Sequence, residues 1–286
     1  MSTLLTIPNV SEGRDQEAIA AIGEAFASTG ARLLDTHSDP DHHRTVYTLA
    51  AGVGEIAQAL VAGARECRAR IDLRGARGSH PHIGALDVAP VVHLDAERRG
   101  AACAEALVAG EELGGEGLSV FLYGALAGGR SRAQLRRGGV AALAERVASG
   151  ELRPDFGPRA IDPAVGAVLV GARPPLVAFN VELRPPATLD DARAIAALIR
   201  DGGTEGLPGV RALGVELHAR DRVAQVSTNV EDHAAVPLAM LVAAVARHAQ
   251  VACCELVGLA PAAAFAGFPD AIAVRNRRCV EDVLAR

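Results

Sequence analysis

The chain has 286 residues, a formal net charge of −5, 3% aromatic residues and no tryptophan. This length accommodates one large domain or two smaller ones. The acidic balance excludes a nucleic-acid binder that relies on a broad basic face, and the few aromatic rings exclude a base-stacking platform. No apolar stretch approaches the ~20 residues needed to span a bilayer. Neither a nucleic acid nor a membrane is therefore expected as a partner. The sequence contains no lysine, so all 29 basic side chains are arginine. That excludes a lysine Schiff base and a P-loop ending in Gly-Lys-Ser/Thr. Anion recognition must use arginine forks or helix N-termini. The five cysteines, Cys67, Cys103, Cys253, Cys254 and Cys279, form no C-x-x-C pair. They read as reduced thiols, with neither a disulfide framework nor a structural zinc site. The segment Met1–Ile7 has no basic region and no small-residue cleavage site, so a cytoplasmic protein is expected.

Apolar periodicity gives an alternating order of elements. Residues 4–10 read as a strand. Residues 15–28 read as a helix with Ala18, Ile19, Ile22 and Phe26 on one face. Two strands, 32–37 and 44–51, are joined by a turn rich in Asp, Pro and His. A helix over 55–70 places Ile56, Leu60 and Ala64 together. A strand over 86–94, a helix over 96–113 ended by Gly114 and Gly115, and a strand over 119–123 follow. Residues 124–165 are dense in Gly, Arg, Ser and Pro, with short helical pieces at 132–137 and 140–148. They read as a long connection between two halves. The second half reads as strand 176–183, helix 189–200, strands 210–217 and 224–230, helix 237–248 and strand 251–257. Both halves thus begin β-α-β-β-α-β, the ferredoxin-like split motif. The expected fold class is α/β of the α+β type: two ferredoxin-like subdomains, 1–174 and 175–286, with helices on one face of each sheet.

The stretch Gly75-Ala76-Arg77-Gly78-Ser79-His80-Pro81-His82-Ile83-Gly84 stands out. Its glycines and proline forbid a regular helix and hold two histidines just before a buried strand. An imidazole with an ordinary pKa of roughly 6.5 can both take and give a proton near neutral pH. The plain alternative is a solvated loop. His42 and His43 could join His80 and His82 around a metal, but neighbouring strand residues diverge, and no metal is expected.

Four ordered segments resemble the formiminotransferase domain family. They are Ile7-Pro8-Asn9-Val10-Ser11-Glu12-Gly13-Arg14; Asp39-Pro40-Asp41-His42-His43-Arg44-Thr45-Val46-Tyr47-Thr48; Ile71 to Arg74 continuing into Gly78 to Asp87; and Pro154 to Pro158 continuing to Val170 to Asn180. Leu122-Tyr123-Gly124, Ala224 to Asn229 and Leu256 to Leu259 add to them, over roughly residues 5–261. The resemblance implies two α/β subdomains with facing sheets, helices outside, and a homodimer. It implies transfer of the formimino group from N-formimino-L-glutamate to N5 of tetrahydrofolate, the co-substrate, in histidine breakdown. A cyclodeaminase would then be a separate protein.

On that resemblance His80, before Pro81 and Gly84, matches the catalytic histidine. Gly157, Pro158, Arg159, Ala160, Ile161, Asp162, Pro163, Ala164, Val165 and Gly166 match the folate-binding segment. Arg44 and Arg173 are candidates for the substrate carboxylates, which arginine forks suit, with Asn9 and Asn180 as polar positioners. Structural salt bridges are the alternative for the arginines. The sequence departs from the family pattern at Ser79, His82 and His37, where an acidic residue, an arginine and a carboxylate are common. A related enzyme that moves a formyl group, or a folate-binding protein without turnover, are the other readings.

Overall fold

The computed structural model describes residues 3–75 and 82–286. Contacts divide the chain into two compact units, Met1–Pro174 and Pro175–Arg286. In the first unit the opening strand is broken at Pro8, giving β1 (Leu4–Thr6) and β2 (Asn9–Val10). Helix α1 (Gln16–Ala27) starts at Asp15, whose carboxylate accepts the N–H groups of Glu17 and Ala18. Strands β3 (Arg32–Asp39) and β4 (Arg44–Ala51) form a hairpin, and helix α2 (Ile56–Arg70) follows. Next come β5 (Leu86–Val92), α3 (Arg99–Gly115) and β6 (Ser119–Leu122). Two short helices, α4 (Arg132–Arg136) and α5 (Gly139–Ala148), precede β7 (Ala167–Arg173).

The seven strands form one sheet. Both β1 and β2 pair with β4 on one side and β5 on the other, and β3 pairs with β4. This gives the antiparallel ferredoxin-like order β3, β4, β1/β2, β5. The sheet then continues in parallel pairing, β5 with β7 and β7 with β6. Residues 124–165 are therefore not a connection between two halves, as the sequence suggested. They lie inside the first unit, because β7 returns to insert between β5 and β6. The run Ala167-Val168-Leu169-Val170 is buried on both faces, so it lacks the period-two signal that marks a half-exposed strand.

Helices α1, α2 and α3 pack on one face through Ile19, Ile22, Phe26, Leu60, Ala106 and Leu113. The apolar faces of α1 and α2 are those read from the sequence. The other face is covered differently from the expectation of helices on one side only. Alternate residues Phe121, Tyr123, Ala167 and Leu169 point there and pack with Leu135 of α4 and Leu143 of α5. Tyr47 is fully buried and donates its hydroxyl hydrogen to Ile19 O at 2.7 Å. Where α1 crosses α2, a Cβ at Gly63 would come within 2.0 Å of the Phe26 ring. Only glycine admits this approach.

The second unit contains β8 (Val177–Leu183), α6 (Leu189–Ile199), β9 (Val210–Leu217), β10 (Val223–Val230), α7 (Leu238–Ala246), β11 (Val251–Val257), β12 (Val274–Arg275) and α8 (Val280–Leu284). Its strand order is β12, β11, β8, β10, β9, antiparallel except for the β11–β12 pair. The first four strands in chain order thus have the ferredoxin-like arrangement expected from the sequence. Helix α6 begins with a capping box between Thr188 and Asp191. Phe179, Phe265 and Phe268 pack edge-on at 5.8–6.2 Å beneath the sheet. Cys254 is buried in this core, whereas Cys253 on the other face donates its S–H to Glu182 at 3.1 Å.

Replacing Gly63 with alanine forces α1 and α2 apart and is expected to cost about 1–3 kcal/mol. Urea unfolding of Gly63→Ala beside wild type measures it; an unchanged midpoint would contradict the α1–α2 packing.

Candidate functional site

The site grows from a bulge in β5. Asn9 faces Val88 and Val10 faces Leu86, so Asp87 is the extra residue on that strand. A bulge re-aims the side chain it carries. Here it turns the Asp87 carboxylate into the protein, where the residue is 0% exposed. Asp87 Oδ1 accepts the Ile83 N–H at 2.9 Å. Asp87 Oδ2 accepts from Arg44 Nη1 at 2.8 Å and from Arg136 Nη2. Arg44 also donates through Nε and Nη2 to Asn9 Oδ1, at 3.0 and 2.7 Å. Asn9 is itself oriented by donation to Ile7 O at 2.8 Å. The break at Pro8 and the bulge at Asp87 thus bring β2, β4, β5 and α4 to one charged centre. Burial is the largest cause pushing the Arg44 pKa down to about 10; Asp87 opposes it, and Arg136 and Arg132 push the same way. Arg44 remains a cation at neutral pH.

Residues 76–81, and with them His80, lie outside the described residues. The backbone on either side of them is held against one strip of the chain. Leu73 N–H donates to Ala164 O at 2.9 Å, Ala85 N–H to Val165 O at 2.8 Å, and Ala167 N–H to Ile83 O at 2.8 Å. Ser11 fixes the exit side further, its hydroxyl donating to Gly84 O at 2.7 Å. Gly84 and Gly166 face each other in an isolated bridge. A Cβ on Gly84 would lie 2.0 Å from Ala167 O, and one on Gly166 2.0 Å from Ile83 O. Gly166 also has φ +75°, which suits glycine.

The same strip is the end of segment 157–166. Gly157, at φ +79°, passes so close to Leu118 O that a Cβ would come within 1.9 Å. Ser119 donates to Pro158 O at 2.8 Å, and Asp162 accepts the Ala164 N–H at 2.9 Å. Ile161 packs under the segment. Pro158, Arg159, Ala160, Asp162 and Pro163 are exposed along it.

Of the substrate-binding candidates, Asn9 and Arg44 meet directly. Arg173 is at the far end of β7, opposite Val92, whereas Leu169 is opposite Val88 beside Asp87. That separation is about 13 Å along the strand at ~3.3 Å per residue. Arg173 donates to Pro174 O at 3.0 Å. Asn180 belongs to β8 in the second unit, 4% exposed, opposite Ser227 and Glu255. On the same sheet face Glu182 receives Arg275 and Arg220. Burial acts to raise the Glu182 pKa, but the hydrogen bonds from Arg275 and Cys253 win and hold it below the ordinary value.

Near the first centre, His42 Nδ1 lies 2.9 Å from Asp39 Oδ2. His43 sits at φ +50°, and its Nδ1 accepts the Gly13 N–H at 3.2 Å while lying 3.4 Å from Glu12. Burial lowers the His43 pKa; Glu12 opposes this, and Arg14 and His82 add to it. Among the described residues, no group of three or more His, Cys, Asp or Glu side chains is arranged to hold a metal. None of their helices is long and apolar enough to cross a membrane.

Asp87 and Arg136 were not singled out as functional by the sequence. A carboxylate inside an otherwise apolar strand was a usable signal for Asp87, because such a charge is buried only when paired. Arg136 carried no such signal, since its partner is 49 residues away.

A family profile described as the formiminotransferase domain, N-terminal subdomain, matches residues 3–173, and the formiminotransferase domain profile matches residues 178–279. The chain belongs to the formiminotransferase family. A formimidoyltransferase-cyclodeaminase of Sus scrofa is 38% identical, over 89% of this chain and 49% of that protein. The chain therefore spans about half the length of such fused relatives. A glutamate formimidoyltransferase of Streptococcus pyogenes serotype M1 is 35% identical, over 90% of this chain and 89% of that protein. One of Thermoplasma acidophilum is 33% identical, over 83% and 80%.

Asp87→Ala strands two buried guanidinium groups and is expected to cost about 3–5 kcal/mol in urea unfolding. Asp87→Asn keeps an acceptor for the Ile83 N–H and should lose less; a loss under about 1 kcal/mol in both would contradict the cluster. His43 should titrate below 6.5 in an NMR pH series. Its neutral form is favoured by folding, so its contribution is full above the unfolded value and falls away as pH drops below it. His43→Asn should flatten that acid-side slope in stability.

Proposed function

We propose that this chain transfers the formimino group of N-formimino-L-glutamate to N5 of tetrahydrofolate, releasing glutamate and 5-formiminotetrahydrofolate. The observation that carries this reading is the colinear match to two glutamate formimidoyltransferases over 80–89% of their lengths. A buried arginine centre beside the residues that flank 76–81 supports it. The reading includes a cytoplasmic homodimer.

The chemistry balances with one imidazole. The N5 lone pair attacks the carbon of the protonated formimino group, and the π pair moves to the terminal nitrogen. N5 then gives its proton to His80. As the tetrahedral intermediate collapses, His80 returns that proton to the glutamate nitrogen, the carbon–nitrogen bond to glutamate breaks, and the C=N bond re-forms. Arg44 and Arg173 serve the carboxylates, with Asn9 as a polar positioner. Segment 157–166, whose outer edge is exposed and whose ends are pinned, serves the folate.

The test follows glutamate release from N-formimino-L-glutamate with and without tetrahydrofolate. Release that depends on the folate and falls by about 10²-fold or more in His80→Ala is expected. Tetrahydrofolate binding without release would overturn the proposed donor, and release unaffected by His80→Ala would overturn the role of that histidine.

A further inference from the structure

Helix α4 carries Arg132 and Arg136 one turn apart, on the same face. Arg136 shares the single carboxylate of Asp87 with Arg44. Arg132 has no carboxylate in ion-pair range among the described residues; its guanidinium instead lies 5.6 Å from the centroid of the Tyr123 ring. Two guanidinium groups thus share one carboxylate, and a third, Arg132, is near enough to Arg44 to act on it electrostatically. The downward push of Arg136 and Arg132 on Arg44 registers the same excess of positive charge.

Two buried donors sharpen the inference. The Tyr123 hydroxyl and Arg136 Nε are closed off from solvent and have no hydrogen-bond partner among the described residues. Tyr123 is 6% exposed. Its ring is set in place by Gly171, where a Cβ would come within 2.9 Å of it. It also packs in the same small cluster as Leu135 of α4. A buried donor left without an acceptor is costly, and an excess of buried cations is costly as well. One ligand chemistry answers both: an anion that accepts hydrogen bonds from planar forks and a hydroxyl.

We propose that Arg132, Arg136 and Tyr123 form a carboxylate-binding site on the first unit, taking a carboxylate of a glutamyl group. The identity of that group rests on the proposed transfer reaction, in which the donor and the tail of the folate both carry glutamyl carboxylates. Arg44 is held by Asp87 and Asn9, so Arg132 supplies the charge that no carboxylate among the described residues pairs with. Arginine suits this task because its fork fixes the orientation of a carboxylate as well as attracting it.

Calorimetric titration tests the site without requiring turnover. The probes are glutarate, tetrahydrofolate, and a tetrahydropterin lacking the glutamyl tail. For wild type, glutarate affinity should fall with added salt. Arg132→Gln should weaken glutarate binding at least about tenfold, Arg132→Lys less, and Tyr123→Phe by about threefold. Arg132→Lys and Tyr123→Phe keep the charge and the ring respectively, so they separate binding from folding. Weakened tetrahydrofolate binding in Arg132→Gln, with tetrahydropterin and glutarate unchanged, would assign the site to the folate tail. No binding of glutarate or of the folate tail to wild type, or affinities within twofold in all three variants, would overturn the site. Arg132-dependent glutarate binding by a protein that releases no glutamate from N-formimino-L-glutamate would keep the site and remove the proposed reaction.

Discussion

The buried carboxylate of Asp87 is the constraint on which the first unit's site depends. A carboxylate taken wholly out of water is tolerated only when cations and hydrogen-bond donors replace its hydration. Asp87 obtains both from Arg44, Arg136 and the Ile83 N–H. Those partners come from β4, α4 and the approach to β5, so the charge balance joins three parts of the chain. Such a cluster is weak evidence for stability in itself, since desolvation offsets much of the attraction. What it secures is orientation: Arg44 is directed by two partners at once and holds the Asn9 side chain in turn.

Backbone close approach supplies the second constraint. Gly84 and Gly166 let two segments meet at distances that no side chain permits. Through that contact the end of segment 157–166 and both sides of residues 76–81 share one strip of hydrogen bonds. The placement of β7 makes this possible. Because β7 inserts between β5 and β6, the residues leading into it run beside the residues leading into β5. A segment remote in sequence from the His-Pro stretch is thereby brought to its flanks.

Much of the fold was legible because its signals are local. Alternating and helical periodicities marked β3, β4, α1, α2, α6, β9 and β11 to within a residue or two. Asp15 stood at a helix start, whereas α3 runs through Gly114 and Gly115, the residues expected to end it. The missed strand β7 is buried on both faces and parallel to its neighbours. Its short apolar run has no period of its own, and its neighbours are set by pairings across long separations. The misreading of residues 124–165 as a connection between halves follows from that one omission.

For the site, the sequence by itself carried the family resemblance, the candidate histidine, and Asn9 and Arg44 as candidate polar and cationic groups. It also determined that cationic recognition falls to arginine, since no lysine is present. Only the tertiary structure decided that Arg44 and Arg136 share Asp87, that Arg132 lies over the Tyr123 ring, and that Arg173 stands at the far end of its strand. The physical reason is the range of the interactions. Propensities, caps and turn chemistry act between residues a few positions apart and can be read along the chain. Charge balance in a buried centre depends on which side chains the sheet order brings within a few ångströms, and that order is a property of the folded chain.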